Sequence, residues 1–359
     1  MKKINGIRGW YFPSKVIQAA NESNQMLTMD FEYGDACRLK CVYCYRSLDE
    51  RNLISFYPSS RYLSFDEWKR VVDEARELGV QSIKLIGGGE ITEENGFFKA
   101  MEYIAKKSIV IVLFTAGTVL GDDKLCRKIH GISNIEFAKK LYDLGMSVFL
   151  KFDALSEDVQ DFLAGMKGFT KIRNEAFKIL LEMGFTNDNP TRLGLEVNVS
   201  RYNYHEIMEI YSLREKYNIY EDVVISMPCE MYKINKNYDI SYEQKVRLYK
   251  EIYEFNRKND IPYDHVSPFI GGLVCTQLGN GLYVNNRGNV YHCPGDFKLL
   301  GNIRETSLIN IWRNFRGKEK YKTHYYCPFR EKEDIVPTKL YGFLEGELVS
   351  KNYATNYNK

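Results

Sequence analysis

Asp35-Ala-Cys37-Arg-Leu-Lys-Cys41-Val-Tyr43-Cys44-Tyr45 places three thiols within eight residues, on a loop too short to keep them from sharing one metal site. A cubane of four irons takes four protein ligands in its closed form, usually four cysteines. Three ligands so close together leave one iron open to something other than protein. Zinc is the competing reading, but structural zinc usually takes four N/S ligands, most often as two C-x2-C pairs, and only Cys41 and Cys44 have that spacing. Disulfides compete less well. The chain opens Met-Lys-Lys-Ile without the apolar stretch and cleavage site of a signal peptide, and cytosolic thiols stay reduced. Cys37, Cys41 and Cys44 are therefore expected as metal ligands in a cytoplasmic protein.

Outward from that loop, β-branched and apolar runs alternate with amphipathic segments, the pattern of βα units around a parallel sheet. Strands are expected at Met26–Tyr33, Ser82–Ile86, Ile109–Thr115, Met146–Asp153, Arg192–Ser200 and Asp222–Met227. Helices are expected near Phe65–Leu78, Gly96–Lys107, Asn134–Leu144, Lys171–Met183, Tyr204–Tyr217 and Tyr242–Lys258. Ser64…Glu67, Ser133…Glu136 and Ser241…Gln244 carry capping-box chemistry, and Leu63 and Trp68 are placed as a hydrophobic staple at the first. The fold class is α/β: a partial (βα)6 barrel of the TIM type, whose chemistry belongs on loops at the C-terminal ends of the strands. The three-cysteine loop follows the first strand, as that rule requires.

The second strand runs into Gly87-Gly88-Gly89-Glu90, where residues without side chains let the backbone approach a ligand. With the C-x3-C-x2-C loop and the aromatic Tyr43 before its last cysteine, this resembles the radical S-adenosylmethionine (SAM) superfamily. The resemblance implies a [4Fe–4S] cluster on Cys37, Cys41 and Cys44 whose open iron chelates SAM, and a contact between the strand end of Gly88, Gly89 and Glu90 and the SAM amino group. Ile91 replaces the proline common after that Glu. In the fourth strand, Phe149-Leu-Lys151-Phe-Asp153 resembles the segment that contacts the SAM ribose or carboxylate. Lys151 could pair with the carboxylate and Asp153 could face the substrate. Residues two apart share a strand face, so a structural Lys151–Asp153 salt bridge is equally open. Glu196, Asn198 and Ser200 share one face of the fifth strand and would line the cavity, with Asn198 and Ser200 as cofactor contacts.

In the last third, Cys275 and Cys293 frame a hairpin that turns through Asn286-Arg-Gly288, with Cys327 further on. This resembles the SPASM extension of that superfamily, in its shorter twitch form because only one cysteine follows Cys293. The resemblance implies an auxiliary [4Fe–4S] cluster on Cys275, Cys293 and Cys327, with Cys229, His292, Asp296 or the substrate as fourth ligand. Cys229, just past the sixth strand, could instead donate a hydrogen atom to a substrate radical, or be structural. Cys126 has no partner nearby and is expected to pack. The expected divisions are an extension at 1–25 that could cap the barrel, the barrel at 26–260, a small α+β auxiliary-cluster domain at 261–335 and a tail at 336–359.

The 359 residues, 44% hydrophobic, suit one large core with a small annex. A formal charge of +3 gives no nucleic-acid footprint. No apolar run approaches the roughly 18 residues of a membrane span. The resemblance implies an enzyme that cleaves SAM to a 5′-deoxyadenosyl radical, fed by a reducing partner such as flavodoxin or ferredoxin. With only 36 residues before Cys37, the expected substrate is a small molecule such as a sugar, aminocyclitol, nucleoside or amino-acid derivative. A maturase acting on a peptide or protein is the alternative, and a non-catalytic metal-stabilised binding module is the reading from a different class.

Overall fold

The computed structural model describes residues 6–10, 12–44, 62–225, 238–261, 267, 276–296 and 298–318, and capping chemistry sets three of its helix starts. Ser64, Ser133 and Ser241 each accept the backbone N–H three residues on, while the Glu67, Glu136 and Gln244 side chains accept the cap's own N–H. Two orphan donors are thereby satisfied at each helix start.

In chain order, α1 (Ser14–Glu22), β1 (Thr28–Phe31), α2 (Phe65–Glu77), β2 (Ser82–Leu85), α3 (Phe97–Lys106) and β3 (Val110–Thr115) come first. They lead to α4 (Thr118–Gly121), α5 (Asp123–His130), α6 (Asn134–Asp143), β4 (Ser147–Lys151), α7 (Glu157–Ala164) and α8 (Phe169–Glu182). The series continues with β5 (Leu193–Val199), α9 (Ile207–Lys216), β6 (Tyr220–Ile225) and α10 (Tyr242–Lys258). Beyond it lie α11 (Thr276–Asn280), β7 (Gly281–Val284), β8 (Asn289–Tyr291), β9 (Leu299–Asn302) and α12 (Leu308–Lys318). The first five expected strands are present but shorter, and β6 begins two residues earlier than expected. The short helices α1, α4, α5 and α7 were absent from the sequence reading; each runs nine residues or fewer, too few turns for a clear period.

The nine strands among the described residues form one sheet in the order β6-β5-β4-β3-β2-β1-β7-β8-β9. β1 to β6 are mutually parallel, and no described strand closes β6 onto β1, so the barrel is partial. β7 then adds to the free side of β1, also parallel, with Thr28 opposite Gly281 and Phe31 opposite Val284. The hairpin thus continues the barrel sheet. β8 and β9 follow antiparallel.

Alternation along the strands gives the sheet two chemistries. Met29, Phe31, Ile83, Leu85, Val148 and Leu150 join the main core with α2, α3 and α6, while Asp30, Lys84, Phe149, Lys151 and Glu196 occupy the other face. Residues 7–10 fill the N-terminal end of the barrel. Ile7 bridges Thr191, the Arg8 carbonyl accepts Ser147 Oγ at 2.7 Å, and Trp10 packs on Phe114 and Phe149 at 5.6 and 5.3 Å between ring centres. Gly9 makes this fit possible: its φ is +83°, and a Cβ there would stand 2.6 Å from Val110. No helix among the described residues is long and apolar enough to cross a membrane.

Candidate functional site

The loop that carries Cys37, Cys41 and Cys44 leaves β1 and is held from three sides. From the β2 end, Glu94 Oε1 accepts the backbone N–H groups of Asp35 and Ala36, both at 2.7 Å. The Ala36 carbonyl accepts Glu90 N at 2.6 Å, and Arg38 Nε pairs with Glu93 at 2.8 Å. Gly89 is pressed against this loop so closely that a Cβ would lie 2.4 Å from the Ala36 oxygen. From α7, the carbonyls of Ala164 and Leu163 accept Lys40 N and Val42 N, both at 3.1 Å, and Leu39 is buried with Ala116, Ala164 and Phe169. From β4, Asp153 Oδ2 accepts the Tyr43 hydroxyl at 2.7 Å, and the Lys151 ammonium stands 4.2 Å from the centre of the Tyr43 ring. Charge-assisted bonds of this kind are the stronger ones.

Cys37 is exposed, and Cys41 and Cys44 are partly so. Burial pushes the Cys41 thiol up to about 11. At Cys41 the Lys151 charge pulls the other way and outranks the opposing push of Asp153. Such thiols stay protonated at neutral pH until a metal cation holds them as thiolates. The donor set, its spacing and its rigid mounting fit a cluster.

The Gly-Gly-Gly-Glu stretch sits at the strand end beside this loop. Gly87 and Gly88 have φ values of +60° and +82°, a turn that only glycine makes without strain. Glu90 is buried, and its carboxylate accepts Thr115 Oγ1 and Thr92 Oγ1 at 2.5 Å and Ala116 N at 2.6 Å. Those contacts tie the end of β2 to the end of β3 and so position the glycines; burial raises the Glu90 carboxyl above its ordinary value.

Across the barrel, the structure contains the Lys151–Asp153 ion pair, and both residues are buried. Burial works against the Lys151 charge, but Asp153, Cys41 and Glu196 outweigh it and hold the ammonium above its ordinary value. Asp153 Oδ1 also accepts Asn198 N at 3.0 Å. Asn198 lies next to Glu196, whose carboxyl burial drives up to about 7 against the pull of Lys151. Ser200 is turned into its own loop, its N–H and hydroxyl both donating to Asn203 Oδ1 at 2.7 and 2.9 Å. Asn203 escaped the sequence reading. Its amide donates to the carbonyls of Asp153 and Asn198 at 2.7 and 2.8 Å, joining the ends of β4 and β5. The signal was an Asn shortly past a strand, where side chains commonly bond back to the backbone.

Of the second cysteine set, Cys293 is described and buried, two residues after the end of β8. Its hairpin turns as expected: Gly288 has φ +83°, and its N–H donates to the Asn285 carbonyl at 3.0 Å. His292 and Asp296 lie 3.9 Å apart around Cys293, and Asp296 N donates to the Cys293 carbonyl at 3.0 Å. Cys229, Cys275 and Cys327 lie outside the described residues. Cys126 packs in the main core as expected, its thiol pushed up to about 11 by burial.

Residues 31–213 match the family model of the radical SAM superfamily, and residues 275–337 match that of an iron–sulfur cluster-binding domain. A GTP 3′,8-cyclase of Desulforamulus reducens is 27% identical over 196 residues, which is 54% of this chain and 53% of that protein. A PqqA peptide cyclase of Bradyrhizobium diazoefficiens is 23% identical over 188 residues, 52% of this chain and 43% of that protein. The chain thus spans about half the length of these curated relatives. Among solved structures, Streptococcus suis SuiB bound to the precursor peptide SuiA superposes with a TM-score of 0.59 at 15% identity, covering 83% of this chain and 68% of that one.

Proposed function

The chain belongs to the radical SAM superfamily, and we propose that it is a maturase that removes hydrogen from a peptide or protein substrate. It is an enzyme with SAM and iron–sulfur cofactors, so the non-catalytic binding module falls away. The small-molecule substrate expected from the sequence is the weaker of the two enzymatic readings. The observation that carries the peptide reading is the similarity to proteins named for peptide cyclisation and for a bound precursor peptide; the described sheet supports it with a polar face on which Lys151, Glu196 and Asp222 stand side by side on β4, β5 and β6, with Asp153 just beyond β4. The GTP cyclase relative keeps a nucleotide as the second reading.

Cys37, Cys41 and Cys44 would hold the first cluster, which with SAM supplies a 5′-deoxyadenosyl radical able to abstract a substrate hydrogen atom. The protein's part is position and shielding. Tyr43, Asp153 and Lys151 lock the cluster loop to β4, while Glu90, Glu93 and Glu94 lock it to the β2 end. Gly88, Gly89 and Glu90 would shape the strand end for the SAM amino group, with Lys151 and Asn198 on the wall opposite, while Ser200, expected there too, is instead held by Asn203. Below, Trp10, Phe114 and Phe149 form an apolar floor that keeps water from the N-terminal end. Above it, Glu196 titrates near neutrality and can hold or release a proton at its carboxylate as substrate loses hydrogen. Cys275, Cys293 and Cys327 would hold the auxiliary cluster, and flavodoxin or ferredoxin would supply the electron.

Anaerobic reconstitution tests both halves. Wild type should hold about eight irons and a Cys37/Cys41/Cys44→Ala variant about four, since each cubane carries four. With SAM and reductant, wild type should form 5′-deoxyadenosine and lower the mass of a cognate precursor peptide by two hydrogens. GTP turnover without peptide turnover would select the nucleotide reading, and unchanged iron in the triple variant would remove the first cluster from these cysteines.

A further inference from the structure

Lys84 on β2 is a buried charge that the chemistry above leaves unused, and its contacts lead out of the barrel toward Cys293. Its side chain is 5% exposed, and its ammonium stands 3.2 Å from Asp30 Oδ1 on the neighbouring β1. The same nitrogen lies 3.3 Å from Gln277 Oε1 on α11 and 4.7 Å from the centre of the Trp10 ring. Gln277, also buried, donates Nε2 to the His292 carbonyl at 3.2 Å. That carbonyl belongs to the peptide bond leading into Cys293, and Gln277 stands two residues after Cys275. One amide therefore joins both cysteine-bearing segments to a charge inside the barrel. The passage is built for it: a Cβ on Gly281 would lie 2.5 Å from Gln277 Oε1.

Stability does not explain the pair. Burying two charges is expensive, and well-packed apolar replacements of such pairs are often neutral or stabilising. A charge held in a dry interior is poorly screened, and the potential of an iron–sulfur cluster responds to nearby charge and hydrogen bonds. We propose that Lys84, balanced by Asp30 and relayed through Gln277, sets the reduction potential of the auxiliary cluster by stabilising its reduced, more negative state. This rests on the reading of Cys275, Cys293 and Cys327 as the ligands of that cluster.

The test is an EPR-monitored redox titration of reconstituted holoenzyme, with the Cys37/Cys41/Cys44→Ala variant identifying which signal is auxiliary. K84M should move the auxiliary midpoint to lower potential, D30N should move it to higher potential, and D30N/K84M should return it close to wild type. The first-cluster midpoint should stay fixed in all three. Opposite signs are a signature that loosened packing does not produce. Should K84M fail to fold, the upward shift in D30N and the near-wild-type value in the double variant still decide. Shifts of one common sign, or none, with both clusters loaded, overturn the proposal alone. Wild type that loads only the first cluster overturns it together with the cofactor reading.

Discussion

Replacing Gly89 with Ala tests whether the β2 end positions the cluster loop. The added Cβ would lie 2.4 Å from the Ala36 oxygen, 2.5 Å from the Asp35 carbonyl carbon and 2.6 Å from its oxygen, all backbone atoms with no rotamer to give way. The loop must therefore back away by about an ångström to reach ordinary contact. That movement breaks the 2.6 Å bond from Glu90 N to the Ala36 carbonyl, a loss of about 1 kcal/mol, and overpacking adds about 1–3 kcal/mol. The whole cost falls on the docking of the loop, because the β2–β3 ladder lies on the other side of the glycine. Gly131→Ala is the control: its φ is +71° with nothing within 4 Å of the new Cβ, so it carries backbone strain of about 1–2 kcal/mol and no clash. G89A should keep the wild-type far-UV circular dichroism, lose most of its first-cluster iron after anaerobic reconstitution and lose SAM cleavage. G131A should keep both iron and cleavage. Wild-type iron and cleavage in G89A would refute the idea that this contact places the cysteines.

Tyr43→Phe removes the hydroxyl bonded to Asp153, a loss of about 1–3 kcal/mol for a charge-assisted bond; the KM for SAM should rise several-fold at unchanged iron content, measured by 5′-deoxyadenosine release. Glu196 carries a pH prediction. Burial raises its folded pKa to about 7 from an ordinary 4.5, so the protonated form is favoured by folding, and its contribution is complete below about pH 4.5 and lost as pH rises through about 7. The melting temperature of wild type minus that of Glu196→Gln should therefore fall between pH 5 and pH 8, and a flat difference would contradict the burial. Cys126→Ser should retain full iron and activity while losing about 1–3 kcal/mol of stability, since it puts a hydroxyl into the apolar core; native protein should resist iodoacetamide at Cys126.

Legibility in the sequence followed the range of the interaction. Ser64, Ser133 and Ser241 were readable as helix starts because a capping box closes over three residues. Gly288 was readable because a tight turn states its own φ requirement. Lys151 and Asp153 were narrowed to one face by alternation, and only the fold showed that they meet each other and Tyr43, 110 residues from Asp153 in sequence. Glu94 carried no signal. Its role in gripping Asp35 and Ala36 depends on β1 and β2 lying side by side, which a local pattern does not encode. The pairing of β7 with β1 was illegible for the same reason: Gly281-Leu-Tyr-Val284 reads as one arm of a hairpin, and nothing in it names the partner of its other edge.

That pairing fixes where Cys293 stands relative to the first cysteine loop. The first loop leaves the C-terminal end of β1. Tyr283 faces Tyr291 in the hairpin, so Cys293, two residues further, returns to the level of Gly281, and Gly281 is opposite Thr28 at the start of β1. Cys293 and the first cysteine loop therefore lie toward opposite ends of one four-residue strand, separated along it by roughly 3.3 Å per residue. A parallel ladder holds that spacing rigidly, in a way that a tethered annex would not. Between the two ends, on the same sheet, lies the lumen with Lys84 and Asp30 at one level and Lys151 and Glu196 at another, the latter pair opposite each other on β4 and β5.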